Sequence, residues 1–99
     1  MAAYIIAEVE VSDPETYASY RAQTPGVVAR YGGRFIVRGG AAEMLEGERE
    51  PARLVVLEFP DRDAARRFYD SPEYQAIIGL RQRAATSRLI LVEGYEAPD

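Results

Sequence analysis

Apolar residues recur at every second position in AYIIAEVEV (Ala3–Val11), RFIVR (34–38), RLVVLEF (Arg53–Phe59) and SRLILVEGY (87–95), and the two long segments between them switch to helical spacing. Few folds accept that order of periods, because strands bury alternate residues whereas helices bury every third or fourth. Read in sequence, the elements run β-α-β-β-α-β. This is the ferredoxin-like α+β arrangement, whose helices cover one face of a four-stranded antiparallel sheet.

The punctuation supports this order. SDPE (12–15) reads as a helix start: Ser12 or Asp13 caps free amides and Pro14 suits the first turn. Tyr17, Tyr20, Thr24, Val28 and Tyr31 then recur near helical spacing, and Pro25-Gly26 is expected to kink or interrupt that helix. Gly32-Gly33 is expected to end it. The second strand is expected to run on through a bulge at Gly39-Gly40 into AAEMLEGEREPA before turning back. Fresh start signals at Asp61 and at Ser71-Pro72-Glu73 divide the second helical region into two consecutive helices. Ninety-nine residues with no linker, repeat or low-complexity tract make one domain, residues 1–99.

Composition removes whole classes of chemistry. There is no histidine or cysteine, and all twelve basic residues are arginine. Thiol nucleophiles, disulfides, lysine Schiff bases, the usual zinc sites and histidine-ligated haem are therefore excluded. No metal or cofactor is expected. A net charge of -4 without runs of like charge gives no nucleic-acid footprint. The opening MAAYIIAEVEV is neither a signal peptide nor a membrane span, so a cytoplasmic location and no membrane partner are expected.

Alternation places Ile5, Ala7, Val9, Phe35, Val37, Val55, Leu57, Phe59, Ile90 and Val92 on the helix side. The other face would carry Tyr4, Ile6, Glu8, Arg34, Ile36, Arg38, Leu54, Val56, Glu58, Leu89, Leu91 and Glu93. That face is too apolar to remain wet, which points to a homodimer through the sheet. With the third strand between the first and second, Glu58 would face Arg38 and approach Glu8. This is either a structural ion-pair network or a polar pocket in which Arg38 binds an anion and Glu58 takes a proton. Gly39 and Gly40 would let a ligand approach backbone amides beside Arg38. Arg81 shares a helical stripe with Tyr74, Ile77 and Ile78, so it either pairs with a carboxylate or reaches an anion.

The stretches YGGRFIVRGG, LEG, RLVVLEFPD, FYDSPEYQAIIGLRQRAATSRLILVEG and DPETYASY together resemble the domain-of-unknown-function 1330 family over nearly the whole chain. The resemblance implies a dimeric α/β barrel, in a superfamily that includes cofactor-free monooxygenases, small isomerases and haem-binding enzymes. Tyr20, Gly32, Gly33, Arg38, Gly39, Gly40, Glu58, Phe59, Ser71, Tyr74 and Arg81 fall on its motifs. The missing histidine argues against the haem-ligating members. The missing tryptophan weakens the analogy with monooxygenases that carry one in their site.

The expected function is a small-molecule binding protein or cofactor-independent enzyme acting on an anionic or carbonyl-bearing ligand, with proton transfer beside a carbonyl as the reaction class. Glu58 and Tyr20 are the candidate catalytic residues, and Arg38, Gly39, Gly40, Arg81 and Tyr74 the candidate ligand contacts. The alternative is a non-catalytic dimeric structural or interaction module in which the same groups form closed ion pairs.

Overall fold

The computed structural model describes residues 1–98. Its elements are β1 (Ala3–Val11), α1 (Pro14–Arg30), β2 (Arg34–Arg38), β3 (Arg53–Phe59), α2 (Arg62–Asp70), α3 (Pro72–Ala84) and β4 (Ala85–Glu93). The strands form one antiparallel sheet in the order β2-β3-β1-β4, with the ferredoxin-like topology. β4 begins two residues earlier than alternation suggests and stops at Glu93 instead of Tyr95.

Helix ends follow local chemistry. Asp13 caps α1 by accepting from the Thr16 amide (3.3 Å) and hydroxyl (2.7 Å). At the other end Gly32 adopts φ 81°, and the amides of Gly32 and Gly33 donate back to Ala29 and Val28. This is a Schellman termination, and the positive φ is why glycine stands there. Ser71 closes α2 and opens α3: its hydroxyl donates to the Phe68 carbonyl (2.7 Å) and accepts from the Tyr74 amide (3.0 Å).

The expected break at Pro25-Gly26 does not occur, for α1 is helical throughout. Pro25 has no N–H to give the Arg21 carbonyl, but two other donors reach that oxygen: the Thr24 hydroxyl at 3.3 Å and Arg38 Nη2 at 2.9 Å.

Two corrections concern which side chains face the helices. The strand bulge lies inside RFIVR, where the register passes from Phe35↔Leu57 to Val37↔Val56 and leaves Ile36 unmatched. Residues 39–52 add no strand, so β2 does not continue through AAEMLEGEREPA. The extra residue inverts the rest of β2: Val37 joins the open face, 39% exposed, and Arg38 shares the helix side with its partner Val55. β4 is inverted as well. Leu89 and Leu91 pair with Ala7 and Ile5 and pack on the core, while Ile90 and Val92 face out at 44% and 43% exposure. LILV is apolar on both sides, so alternation had no contrast by which to orient it.

The core lies between the sheet and the three helices. Ile5, Leu57, Phe59, Ala65, Phe68, Tyr74, Ile77 and Ile78 are all buried there. Phe59, Phe68, Tyr74 and Tyr20 form a run of tilted or edge-on rings, with successive centroids 5.3, 4.6 and 6.3 Å apart.

Candidate functional site

Under α1, the helix side of the sheet is not completely filled. A cavity of about 40 Å³ lies between β1, β3 and α1, and its lining combines apolar residues with Tyr17, Tyr20, Tyr74 and the arginines Arg21, Arg38, Arg53 and Arg81. Among the described residues no aspartate or glutamate lines it. The space holds roughly two water molecules, so a larger occupant has to displace side chains.

Arg81 forms the inner wall. It is buried, yet has no carboxylate partner among the described residues. Its Nε donates to the Tyr74 hydroxyl (3.4 Å) and its Nη1 to the hydroxyl of Ser87 on β4. Burial disfavours the cation, but the neighbouring oxygens of Tyr74 and Tyr20 outweigh it, and the guanidinium stays firmly charged. Tyr20 and Tyr74 are joined hydroxyl to hydroxyl at 2.7 Å. Two hydroxyl protons serve one mutual bond, so one O–H is left for another acceptor. Burial, then the adjacent Tyr74, pushes the Tyr20 pKa well above the ordinary phenol value, so its hydroxyl keeps its proton and serves as a hydrogen-bond donor and not a base.

Arg38 and Arg53 form the opposite flank. Arg38 is committed to the Arg21 carbonyl, and its guanidinium stacks 4.4 Å above the Phe35 ring. The Arg53 guanidinium lies 5.6 Å over the Tyr17 ring, and its Nε is buried with no hydrogen-bond partner. Gly39 has φ 70°, and a Cβ there would overlap the Arg53 guanidinium. Its amide donates to the Leu54 carbonyl at 2.8 Å, so it is not free for a ligand; Gly40 stands in open space.

The structure thus brings Tyr20, Tyr74, Arg38 and Arg81 to one cavity and leaves Glu58 out. Glu58 is on the open face, accepting from Arg34 Nε (2.6 Å) and the Tyr4 hydroxyl (3.3 Å). It faces neither Arg38 nor Glu8; Glu8 lies between Arg49 (3.6 Å) and Arg88 (3.7 Å). The register sets Arg34, not Arg38, opposite Glu58, and the bulge at Ile36 then sends Arg38 to the other side of the sheet. Sequence reasoning missed Arg53 and Tyr17. The signal was present, because Arg53 continues the inward alternation of Val55, Leu57 and Phe59.

Among the described residues no three metal-ligating side chains cluster, and no helix is long and apolar enough to cross a membrane.

Comparison with curated protein sequences finds no match. By fold, the chain is similar to a protein of unknown function from Rhodopseudomonas palustris, at 24% identity over 97% of this chain and 84% of that one, with a TM-score of 0.78. It is also similar to SnoaB, a cofactor-independent oxygenase from Streptomyces nogalater, at 22% identity over 97% and 95% of the two chains, with a TM-score of 0.65. A dimeric ferredoxin-like protein of unknown function from Jannaschia sp. is 15% identical over 95% and 100%, with a TM-score of 0.71. The profile of the family described as domain of unknown function (DUF1330) matches residues 2–95, and the chain belongs to that family.

Proposed function

We propose that this member of the DUF1330 family is a small-molecule binding protein or cofactor-independent enzyme, and that its site is the tyrosine–arginine cavity beneath α1. The observation that carries the reading is Arg81: among the described residues, a buried guanidinium without a carboxylate partner, in a cavity lined by four arginines and no acid. A buried cation is costly unless an anion or a full set of hydrogen bonds accompanies it. The fitting ligand is a small, largely apolar molecule bearing a carboxylate, or a carbonyl acidic enough to lose its proton to solvent and become an enolate. Arg81 and the spare hydroxyl of the Tyr20–Tyr74 pair would hold its oxygen, and would hold it more tightly as negative charge develops. Entry requires Arg38 to swing away from the Arg21 carbonyl.

Glu58 plays no part in the chemistry of this cavity, and the tyrosine pair is poorly suited to accept a proton. The site therefore favours substrates that are already anionic or readily ionised. Similarity to a cofactor-independent oxygenase fits that preference, since an electron-rich anion needs the least help from the protein. Pairing of two copies through the open face is part of the same reading. That face exposes Val37, Ile90 and Val92 around Ile6, Leu54 and Val56, and the similar Jannaschia protein is described as dimeric.

The test is titration of the ¹⁵N-labelled protein with benzoate and hexanoate. Either carboxylate should shift the amides of Tyr17–Val28 and of β1, and Arg81→Gln should abolish the shifts while leaving the circular dichroism spectrum intact. If neither carboxylate perturbs those amides, the cavity reading fails and the non-catalytic dimeric module, which the tightness of the cavity favours, takes its place.

A further inference from the structure

We propose that the cavity is built for a ligand with two acidic groups, one held by Arg81 and the second by Arg53 on the opposite flank. This rests on the reading that the cavity binds an anion, and it narrows the class of that anion.

Of the four arginines lining the cavity, Arg21 is exposed to water, and of the other three only one lacks an acceptor among the described residues. Arg81 has Tyr74 and Ser87, and Arg38 has the Arg21 carbonyl. Arg53 has neither a carboxylate nor a hydrogen-bond acceptor among the described residues, and its Nε is buried in that condition. A buried donor without a partner is a standing cost, and such groups in folded proteins call for a specific explanation. Solvent does not supply it at Nε, which is out of its reach. The side chain is held in place on both sides, by the Tyr17 ring at 5.6 Å and by the strand end at Gly39, where only glycine leaves it room.

The sheet fixes where this second cation stands relative to the first. Arg53 on β3 and Ser87 on β4 are both Cα partners of Val9 on β1. They are two strand spacings apart, roughly 10 Å. Arg81 bonds to Ser87, so the two guanidinia flank an apolar strip made by Ala7 and Val9 beneath and Tyr17 above. A ligand bridging them has an acidic group at each end and a short apolar linker between. A monoanion would satisfy Arg81 and leave the Arg53 Nε as it is.

Isothermal titration of the whole protein with succinate, glutarate and adipate, each against the monoacid of the same chain length (butyrate, valerate, hexanoate), tests the inference at fixed ionic strength. One of the diacids should bind at least about tenfold more tightly than its matched monoacid. Arg53→Gln should erase that advantage, weakening the diacid far more than the monoacid; Arg53→Lys, which keeps the charge but lacks Nε, should erase most of it and serves if the glutamine variant is poorly folded. Equal affinities for diacid and monoacid would overturn the two-ended site while the anion-binding reading stands. A diacid preference that survives in both Arg53 variants would show that another group holds the second acid. If no acid of either series binds, both readings fall together.

Discussion

Replacing Arg38 by methionine removes the guanidinium but keeps most of the stem, and the structure says what that should cost. Two interactions disappear. One is the charge-assisted hydrogen bond to the Arg21 carbonyl at 2.9 Å, in a partly solvated position and therefore worth about 1 kcal/mol. The other is the cation stacked 4.4 Å over Phe35, worth about 0.5 kcal/mol at an exposed site. The expected loss is about 1.5 kcal/mol, or a fall of about 1.5 M in the urea midpoint at a slope of about 1 kcal/mol/M. The sharper test is its dependence on Pro25. In Pro25→Ala, residue 25 regains an N–H, the Arg21 carbonyl recovers its helical partner, and the variant should be more stable than the parent. Arg38→Met should then cost only the Phe35 stacking, so the double-mutant cycle should show coupling of about 1 kcal/mol. Coupling below about 0.3 kcal/mol would refute the claim that Arg38 substitutes for the hydrogen bond that proline removes.

The same exchange of glycine for alanine should have opposite signs at two positions. A Cβ at Gly33 would lie 2.5 Å from Cε1 of the buried Phe59 ring, so Gly33→Ala should destabilise by about 1–3 kcal/mol; at Gly26, inside α1 with nothing within 4 Å, it should stabilise by about 0.5–1 kcal/mol in chemical denaturation. Glu73 is held below its ordinary 4.5 chiefly by the Tyr31 hydroxyl at 2.8 Å, then by its own backbone amide, with Arg30 adding to the effect. A lowered carboxylate contributes stability above its ordinary value and loses it as pH falls through the folded value, so the advantage of the parent over Tyr31→Phe should shrink on acidification. A stability difference unchanged between about pH 6 and pH 3 would show that this bond does not set the Glu73 acidity. Val56→Arg, in the middle of the open face, should turn the proposed dimer into a folded monomer by light scattering, whereas a monomeric parent protein would remove the dimer altogether.

Much of the architecture was legible because local rules suffice for it. The limits of β1 and β3, the Asp13 cap, the Gly32-Gly33 stop and the division of the second helical region at Ser71 each depend on a few neighbouring residues. Each is a matter of one side chain reaching a nearby amide or one backbone angle that only glycine adopts freely. Arg81, Tyr74 and Tyr20 were also within reach, since helical spacing and family motif put them on the right faces.

The grouping of the site was not legible in the same way. Face assignment in β2 depends on a single extra residue, and nothing in RFIVR marks Ile36 as that residue, because the bulge exists only in its pairing with β3, more than fifteen residues away. In LILV both faces are apolar, so only the register against β1 decides which leucines enter the core. That an arginine from another element reaches the carbonyl Pro25 leaves free is likewise set by the fold. The sequence by itself therefore determined the order of elements, their ends and the chemistry that is absent: no thiol, imidazole or amine. Only the tertiary structure decided that Glu58 meets Arg34 while Arg38 turns to the helix side, that Arg53 and Arg81 flank one cavity, and that no acid of the described residues shares it. The physical reason is that local signals specify backbone conformation, whereas which charges meet is fixed by strand register, a property of two segments at once.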